Sequence, residues 1–260
     1  MSCNAIMKTK SAQHVTMQSF RITLALAALV AANCSFAQMA SPPPQEPPPV
    51  KDLGGGRYQV GAITVDRNAR QFTVPGRVLH LDGVPLEYIA VSPGGMKAYE
   101  SLLEVDARGT EFNLACILLG LEAPQPGAGA QFERKPRQGP AVQLSLRWQA
   151  GGRSVTKSVH EVLNLAAPPR GAAGAAAPPP TGTPPEEWIY TGSYRHSDGG
   201  TYVPDMTGTL IGFVHDPACI IDHRAGLGIG AYGSVQGNPA VLPPVGSAVE
   251  LIVSVPQAGK

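Results

Sequence analysis

The sequence predicts an α+β fold: a mostly antiparallel β-sheet with one clear helix packed against it. Two observations lead to this prediction. Short β-branched or alternating segments, punctuated by glycine, proline and aspartate, recur along most of the chain and are typical of strands joined by turns. One segment instead carries apolar residues at helical spacing after a capping residue.

The strand-like segments comprise residues 58–65, 71–79, 86–91, 98–105, 142–148, 188–194, 208–214 and 248–255. The helical segment begins with Thr110 as a capping residue, and Gly120 is expected to end it. Between these two residues the helical spacing is carried by Phe112, Ala115, Cys116 and Leu119. We expect this helix to lie against the sheet.

The first 37 residues have the features of a secretory signal peptide. Basic residues precede an apolar stretch at 22–32, acidic residues are absent before Glu46, and small residues lead to a cleavage site after Ala37. The apolar stretch is shorter than the ~20 residues that a membrane-spanning helix needs. We therefore expect an exported protein, periplasmic or secreted, with no transmembrane segment after signal cleavage.

Two segments of biased composition organise the remaining chain. Residues 38–56 contain two runs of three prolines and predict a stiff Pro-rich spacer. Residues 166–185 consist almost entirely of alanine, proline and glycine, which predicts a disordered loop or linker. The part after this loop has little from which to build a core of its own. We therefore expect residues 57–260 to form a single domain interrupted by the loop, rather than two domains.

Composition and motifs argue against several function classes. Lys and Arg (20) nearly balance Asp and Glu (19), so the chain lacks the basic excess that nucleic-acid binding requires. The sequence has no C-x-x-C, G-x-S-x-G, H-E-x-x-H or P-loop motif. Residues 228–233 match G-x-G-x-x-G, but the turn-rich run that follows them favours a flexible loop. No cofactor is therefore predicted.

The densest polar cluster contains His215, Asp216, Asp222 and His223. Imidazole and carboxylate groups together suit zinc or a similar divalent metal, so a metal site is one interpretation. The other is a set of solvated turn residues, because Asp216-Pro217 is an ordinary turn start and Asp222-His223 can end a short strand. A metal site needs further ligands, and the sequence does not place them.

A second candidate pair is Glu87 and Glu100, in two strand-like segments that flank residues 92–95. With a two-residue hairpin turn the two carboxylates face each other, and such a pair either shares a proton or binds a cation. With a three-residue turn Glu87 faces Ser101, and the charge conflict disappears. Lys97 is close enough along the chain to neutralise either carboxylate.

Two cysteines, Cys116 and Cys219, follow the predicted signal peptide. Export to an oxidising compartment permits a disulfide between them. Each, however, lies in an apolar run, where a buried free thiol behaves as a small hydrophobe. Both alternatives remain open at this point.

Several of these segments resemble the YdjY-domain family of bacterial proteins. The resemblance rests on PLEY at 85–88, GGMK at 94–97, YESLL at 99–103, the run at 114–121, WIYTGS at 188–193, GTLI at 208–211, HDPA at 215–218 and PPVG at 243–246. It spans about residues 58–255, on both sides of the loop, which implies one domain. The family brings no established chemistry, and relatives often carry His where this chain has Tyr99.

We therefore expect a non-enzymatic exported protein of the envelope that binds a small ligand or an envelope protein. This expectation follows from the absence of a complete catalytic constellation in the sequence. The alternative is a metal-binding module or a metal-dependent enzyme that uses the 215–223 cluster together with Glu100.

Overall fold

Strands make up most of the regular structure. The computed structural model describes residues 47–165, 188–196, 200–227, 229 and 233–256. The predicted signal peptide and the predicted loop at 166–185 lie outside these residues. In chain order the strands are β1 (Val50–Gly54), β2 (Arg57–Val60), β3 (Ile63–Asp66), β4 (Gln71–Val78), β5 (Tyr88–Val91), β6 (Ser101–Val105), β7 (Ala141–Ala150), β8 (Arg153–Ser158), β9 (Leu163–Leu165), β10 (Trp188–Tyr190), β11 (Thr209–Gly212), β12 (Ile221–His223), β13 (Val235–Gly237) and β14 (Ala248–Ser254). The helices are α1 (Gly109–Leu118) and α2 (Val203–Thr207), and Ala98–Glu100 forms one turn of 3-10 helix.

Eight strands close into a barrel in the order β4, β14, β7, β10, β12, β11, β5 and β6, because β6 pairs back with β4. Neighbours are antiparallel except for two parallel pairs, β11 with β12 and β5 with β6. The prediction of an α+β sheet covered by a helix is therefore wrong. Local patterns identify strands one at a time, whereas closure depends on long-range pairing, above all the insertion of β14 between β4 and β7.

The ring closes at a glycine inside β4. The first part of this strand pairs with β3 as far as Thr73, and the last part pairs with β6 from Gly76 onward. A Cβ added to Gly76 would collide with the carbonyl oxygen of Glu104 in β6. Glycine within a strand is typical of such a close backbone approach at a barrel corner.

The three longest ring strands, β4, β14 and β7, lie side by side and carry much of the core. β14 pairs with β4 over seven residues and with β7 over five. Buried and solvent-facing side chains alternate along β7, as a sheet with one buried face requires. The buried set in β7 is Val142, Leu144, Leu146 and Trp148.

The helix predicted at residues 110–120 is present as α1, but its start differs from the prediction. Glu111, rather than Thr110, caps the first turn by accepting a hydrogen bond from the Arg108 N–H at 2.9 Å. Gly120 follows the helix with φ +82°, which is consistent with its predicted role as the terminator. With ten residues in α1 and five in α2, helices contribute little to the fold.

Several strands have no counterpart in the sequence prediction: β1, β8, β9 and β13. β12 ends at His223, as one of the two interpretations of the polar cluster allowed. β1 falls within the predicted spacer at 38–56, where it pairs antiparallel with β2. β9 and β13 pair with each other in a separate two-stranded sheet. Neither of the two helices in the described chain has the length and apolar character needed to cross a bilayer.

Candidate functional site

The polar cluster predicted from the sequence lies where the chain passes from β11 to β12. His215 and Asp216 belong to the connecting loop, and Asp222 and His223 lie in β12. No more than 9% of any of these four residues is exposed. Because they are buried rather than solvated, each polar group has to find its partners within the protein.

Asp216 is held by two hydrogen bonds. Its Oδ2 accepts from the Tyr88 hydroxyl at 2.9 Å, and its Oδ1 accepts from the backbone N–H of Ala218 at 2.9 Å. Burial, reinforced by nearby Cys219 and Asp216, raises the pKa of the Tyr88 hydroxyl far above its ordinary value. Tyr88 therefore stays protonated and serves as a donor to Asp216.

Asp222 is fully buried and faces a buried arginine. Arg137 Nη1 lies 3.1 Å from Asp222 Oδ2, and the guanidinium also donates to the carbonyl oxygens of Ala128 and Ala130 at 3.0 and 3.2 Å. Burial raises the pKa of the Asp222 carboxyl to about 7, although Arg137 opposes this shift. Burial therefore disfavours the ionised form of Asp222, while the Arg137 guanidinium at 3.1 Å favours it.

His215 joins the loop that carries Arg137 to the barrel. Its Nδ1 contacts the carbonyl oxygen of Glu133, and its Nε2 contacts the carbonyl oxygen of His223 at 2.8 Å. Burial lowers the pKa of His215, although the carbonyl oxygens oppose the shift. The backbone of His215 has φ +56°, a conformation uncommon outside glycine. Because its ring nitrogens contact the carbonyl oxygens of Glu133 and His223, His215 connects the loop before β7 to β12.

His223 packs among aromatic rings. Its imidazole meets the Trp188 ring edge-on with centroids 5.3 Å apart, and the His160 ring lies 6.2 Å from Trp188. Burial is the main cause that lowers the pKa of His223 to about 3, and the neighbouring His160 and His215 lower it further. His223 is therefore neutral at physiological pH.

Glu87 and Glu100 are neighbours, but through a different pairing from either predicted hairpin. β5 and β6 are parallel, and the Glu87 N–H donates to the Glu100 carbonyl oxygen at 3.0 Å. Burial is the main cause that raises the pKa of Glu87, and the charge of Glu100 raises it further. Lys97 neutralises Glu100, with Nζ 2.8 Å from Oε1, as its position in the sequence predicted.

Both hairpin interpretations of this segment are therefore wrong. The turn of 3-10 helix at Ala98–Glu100 returns the chain to the starting end of β5, so that β6 runs in the same direction as β5. Tyr99 is exposed, and its hydroxyl lies 3.3 Å from Lys97 Nζ.

The described residues contain no group of three or more His, Cys, Asp or Glu side chains arranged to hold a metal ion. The divalent metal of the alternative interpretation therefore has no ligand set within this part of the chain.

Cys116 and Cys219 are buried free thiols. Burial raises the pKa of both thiols, so both remain protonated.

A cavity of about 200 Å³ opens beside Arg137, and we call it the Arg137 cavity. Most of its wall comes from the loop between α1 and β7, and Thr191 completes it. Its charged and amide side chains are Gln125, Glu133, Lys135, Arg137 and Gln138. Arg137 is buried, with 6% of its side chain exposed, and its Nε has no hydrogen-bond partner among the described residues. Guanidinium, ammonium and amide groups in the lining of a small cavity can bind an anion.

Sequence reasoning missed Arg137, Lys135 and Tyr88. Arg137 and Lys135 lie in a segment without strand or helix periodicity, far along the chain from the 215–223 cluster. Tyr88 sits in a predicted strand and looks like any core aromatic. The only available signal was that buried carboxylates need a buried donor or cation, which does not say where that partner lies.

Comparison with known proteins adds one match. A family model described as the YdjY domain matches residues 63–254. The search of curated proteins and the search of solved structures returned no match. The matched range agrees with the resemblance found in the sequence and includes all the residues that line the Arg137 cavity.

Proposed function

The chain belongs to the YdjY-domain family, and from that premise we propose that it is an exported, non-enzymatic binding module whose Arg137 cavity takes a small carboxylate ligand. The observation that carries this proposal is the buried Arg137 guanidinium in the wall of the cavity. A buried cation in a small, partly open cavity is a strong point of attraction for an anion, because little water screens it.

The guanidinium is held in place before any ligand arrives. The carbonyl oxygens of Ala128 and Ala130 and the carboxylate of Asp222 fix it from three directions. A group that is already positioned loses little conformational entropy on binding, which favours affinity. Lys135, exposed on the same loop, adds a second cation to the cavity wall.

The balance of charge in the cavity depends on Asp222. The lining contains two cations, Lys135 and Arg137, and one carboxylate, Glu133, and Asp222 pairs with Arg137 from outside the lining. When Asp222 is protonated, the net charge around the cavity becomes more positive. Because the pKa of Asp222 is about 7, we expect carboxylate affinity to rise by about tenfold between pH 8 and pH 6, following the protonated fraction of this group.

Binding is favoured over covalent chemistry by the state of the nearby groups. The Cys219 thiol and the Tyr88 hydroxyl both have pKa values raised by burial, so neither is an activated nucleophile at neutral pH. The His215 ring is engaged by backbone carbonyls on both sides. These groups are suited to shaping and supporting a site.

Calorimetric titration of the purified chain with succinate tests the proposal, with succinamide as the uncharged analogue. We expect succinate to bind and succinamide to give no heat. Lys135→Ala should weaken succinate binding several-fold, whereas Lys157→Ala, which removes an exposed cation of β8, should leave it unchanged. Asp222→Asn should tighten binding at pH 8 and flatten the pH dependence. Absence of succinate binding at both pH 6 and pH 8, in the original chain and in Asp222→Asn, would overturn the proposal.

Export is tested separately. The N-terminal features described above support it, and N-terminal sequencing of the protein recovered from the envelope fraction of a producing bacterium should begin at Gln38. Recovery of the uncleaved chain from the cytoplasmic fraction alone would contradict export.

A further inference from the structure

The Arg137 cavity is lined by charges of both signs that do not pair with one another. Its cations are Arg137 and Lys135, and its anion is Glu133. Arg137 pairs with Asp222, which lies outside the lining, and within the described residues no ion pair joins Glu133 to either cation. Because these opposite charges stay apart in one small cavity, both signs are available to a ligand.

The Glu133 carboxylate and the Arg137 guanidinium border the same small space beside Gly129. Glu133 Oε2 lies 2.6 Å from the point that a Cβ on Gly129 would take, and Arg137 Cζ and Nη2 lie 3.4 Å from that point. The distance to Oε2 is too short for a carbon atom but close to that of a charge-assisted hydrogen bond. A nitrogen donor beside this point therefore fits, and glycine at position 129 leaves the space open for it.

Glu133 is held in position before a ligand arrives. Its Oε2 accepts the Ala130 N–H at 3.3 Å, and its own N–H donates to the Ala130 carbonyl oxygen at 3.2 Å. Its carbonyl oxygen contacts His215 Nδ1, and the preceding residue, Phe132, donates its N–H to the His215 carbonyl oxygen at 2.9 Å. The bond from Ala130 is the one hydrogen bond that the carboxylate accepts from the described residues. Since an ionised carboxylate has about four acceptor sites, most of its capacity is unused.

We propose that the ligand of the Arg137 cavity is an α-amino dicarboxylic acid, of which aspartate is the simplest fitting example, and that Glu133 selects its ammonium group. This inference rests on the proposed function, since it names the class of carboxylate that the cavity takes. Arg137 binds the α-carboxylate, Glu133 accepts from the adjacent ammonium, and Lys135 pairs with the side-chain carboxylate. Two cations and one anion in the lining thus meet two anions and one cation of the ligand.

The spacing of the charges favours an α-amino acid over one with a distant amino group. In an α-amino acid the ammonium and the carboxylate are attached to the same carbon. Glu133 Oε2 and the Arg137 guanidinium both lie within 3.4 Å of one point, so their partners on the ligand also have to be close together. A simple dicarboxylate lacks the ammonium and leaves the Glu133 carboxylate beside two further negative charges, which is unfavourable.

The size of the cavity limits the ligand to a small molecule. Its volume is about 200 Å³. At the ~30 Å³ that one water molecule occupies in the liquid, this corresponds to roughly seven non-hydrogen atoms. The cavity is partly open and Lys135 is exposed, so the side-chain carboxylate of a slightly larger ligand can lie at the mouth.

Succinate and L-aspartate differ by a single ammonium group, and calorimetric titration of the purified chain with both at pH 7 tests the proposal. The ammonium adds a charge-assisted hydrogen bond to Glu133, so aspartate should bind about tenfold more tightly than succinate. L-Malate carries a hydroxyl in place of the ammonium and should gain less than about threefold over succinate.

Two variants assign the preference to Glu133. Glu133→Gln keeps the shape of the side chain but removes its charge, so aspartate and succinate should bind it with affinities within about twofold of each other. Succinate should bind this variant at least as tightly as the original chain, which shows that the variant is folded. Glu122→Gln removes an exposed carboxylate of the same loop that does not line the cavity, and it should leave the preference for aspartate unchanged.

Three results would overturn the role of Glu133. They are equal affinity of the original chain for aspartate and succinate, a preference for aspartate that survives in Glu133→Gln, and an equal loss of preference in Glu133→Gln and Glu122→Gln. Each of them leaves succinate binding intact and so leaves the carboxylate site standing. Absence of binding by both ligands would instead overturn the carboxylate site itself, so the two failures are distinguishable.

Discussion

The barrel has two unlike halves. In the long-strand half, β4, β14 and β7 are seven to ten residues long, and in β4 and β7 buried side chains alternate with more exposed ones. In the short-strand half, β10, β12, β11, β5 and β6 are three to five residues long, and this half, with the loop between β11 and β12, holds the buried carboxyl side chains of Asp216 and Asp222. The comparison indicates that the long strands stabilise the ring, whereas the short ones carry the candidate site.

The two halves differ in what burial contributes to stability. Each apolar side chain buried in the long-strand half adds stability in proportion to its area, about 25 cal/mol per Å². A buried ion pair such as Arg137–Asp222 loses most of its attraction to the cost of removing both charges from water. Buried charges in the short-strand half are therefore poorly explained by stability, which is one reason to assign them a role in binding.

The largest effect is expected in the long-strand half. Phe72 of β4 is fully buried and meets Phe112 of α1 edge-on, with ring centroids 5.1 Å apart. Phe72→Ala should lower the free energy of unfolding by about 4 kcal/mol, measured by urea denaturation, because the closed ring cannot collapse into the space. Val50→Ala, at an exposed position of β1, should change it by less than about 0.5 kcal/mol. Similar losses in the two variants would contradict the assignment of the stability to apolar side chains buried in the long-strand half.

The buried Arg137–Asp222 ion pair is expected to contribute to stability through its balance of charge. Arg137→Met leaves Asp222 buried without its partner and should lower the free energy of unfolding by about 3 kcal/mol at pH 8. The double variant Arg137→Met/Asp222→Leu removes both charges and should lie within about 1 kcal/mol of the original chain, while losing succinate binding. Equal instability of the single and double variants would show that the pair contributes through packing rather than charge.

The pH dependence of stability tests the histidine in the same half. The pKa of His223 is about 3 in the folded chain against 6.5 for an ordinary histidine, so below pH 6.5 the unfolded chain takes up the proton first and stability falls. This amounts to about 2 kcal/mol at pH 5. His223→Gln should therefore gain about 2 kcal/mol relative to the original chain between pH 8 and pH 5, measured by urea denaturation at both values.

Asp222 has the opposite effect on the pH dependence of stability, and it has it in both the original chain and the His223→Gln variant. Its pKa is raised to about 7, so the folded chain takes up the proton first and gains stability as pH falls from 7 towards 4. Because this contribution is common to the variant and the original chain, it cancels in the comparison. Parallel pH profiles for the two proteins would contradict the assignment to His223.

The smallest effect is expected on the surface of the long-strand half. Arg147 of β7 and Glu250 of β14 are directly paired across the strands, with Arg147 Nε 2.7 Å from Glu250 Oε2. Both side chains are more than a third exposed, so water screens the pair. Arg147→Gln should cost less than about 1 kcal/mol, and the cost should shrink in 1 M salt. A larger loss that salt does not change would indicate a packing role for Arg147.

The sequence predicts the long-strand half better than the short-strand half. Residues 71–79, 142–148 and 248–255 are β-branched or alternating over seven or more residues, and they are present as β4, β7 and β14. β12 is three residues long and contains Asp222 and His223. A period cannot be read from three residues, and polar side chains in a buried strand contradict the usual pattern.

The candidate site was likewise only partly predictable from the sequence. The sequence identifies His215, Asp216, Asp222 and His223 by their nearness along the chain, and the structure buries all four. Their partner Arg137 comes from a distant loop, so only the folded chain reveals it. Glu87 and Glu100 are adjacent as one predicted turn required, but they meet through parallel strands, because local sequence does not determine strand direction.

The position of β14 in the ring determines when the barrel can close during folding. β14 follows all the other ring strands in the chain, yet it lies between β4 and β7. During synthesis both of these strands keep an unpaired edge until residues 248–254 arrive. Open edges are sites for association between incomplete chains. The ring is therefore completed in one late step, and a ribosome stalled shortly before β14 would release a chain prone to aggregate.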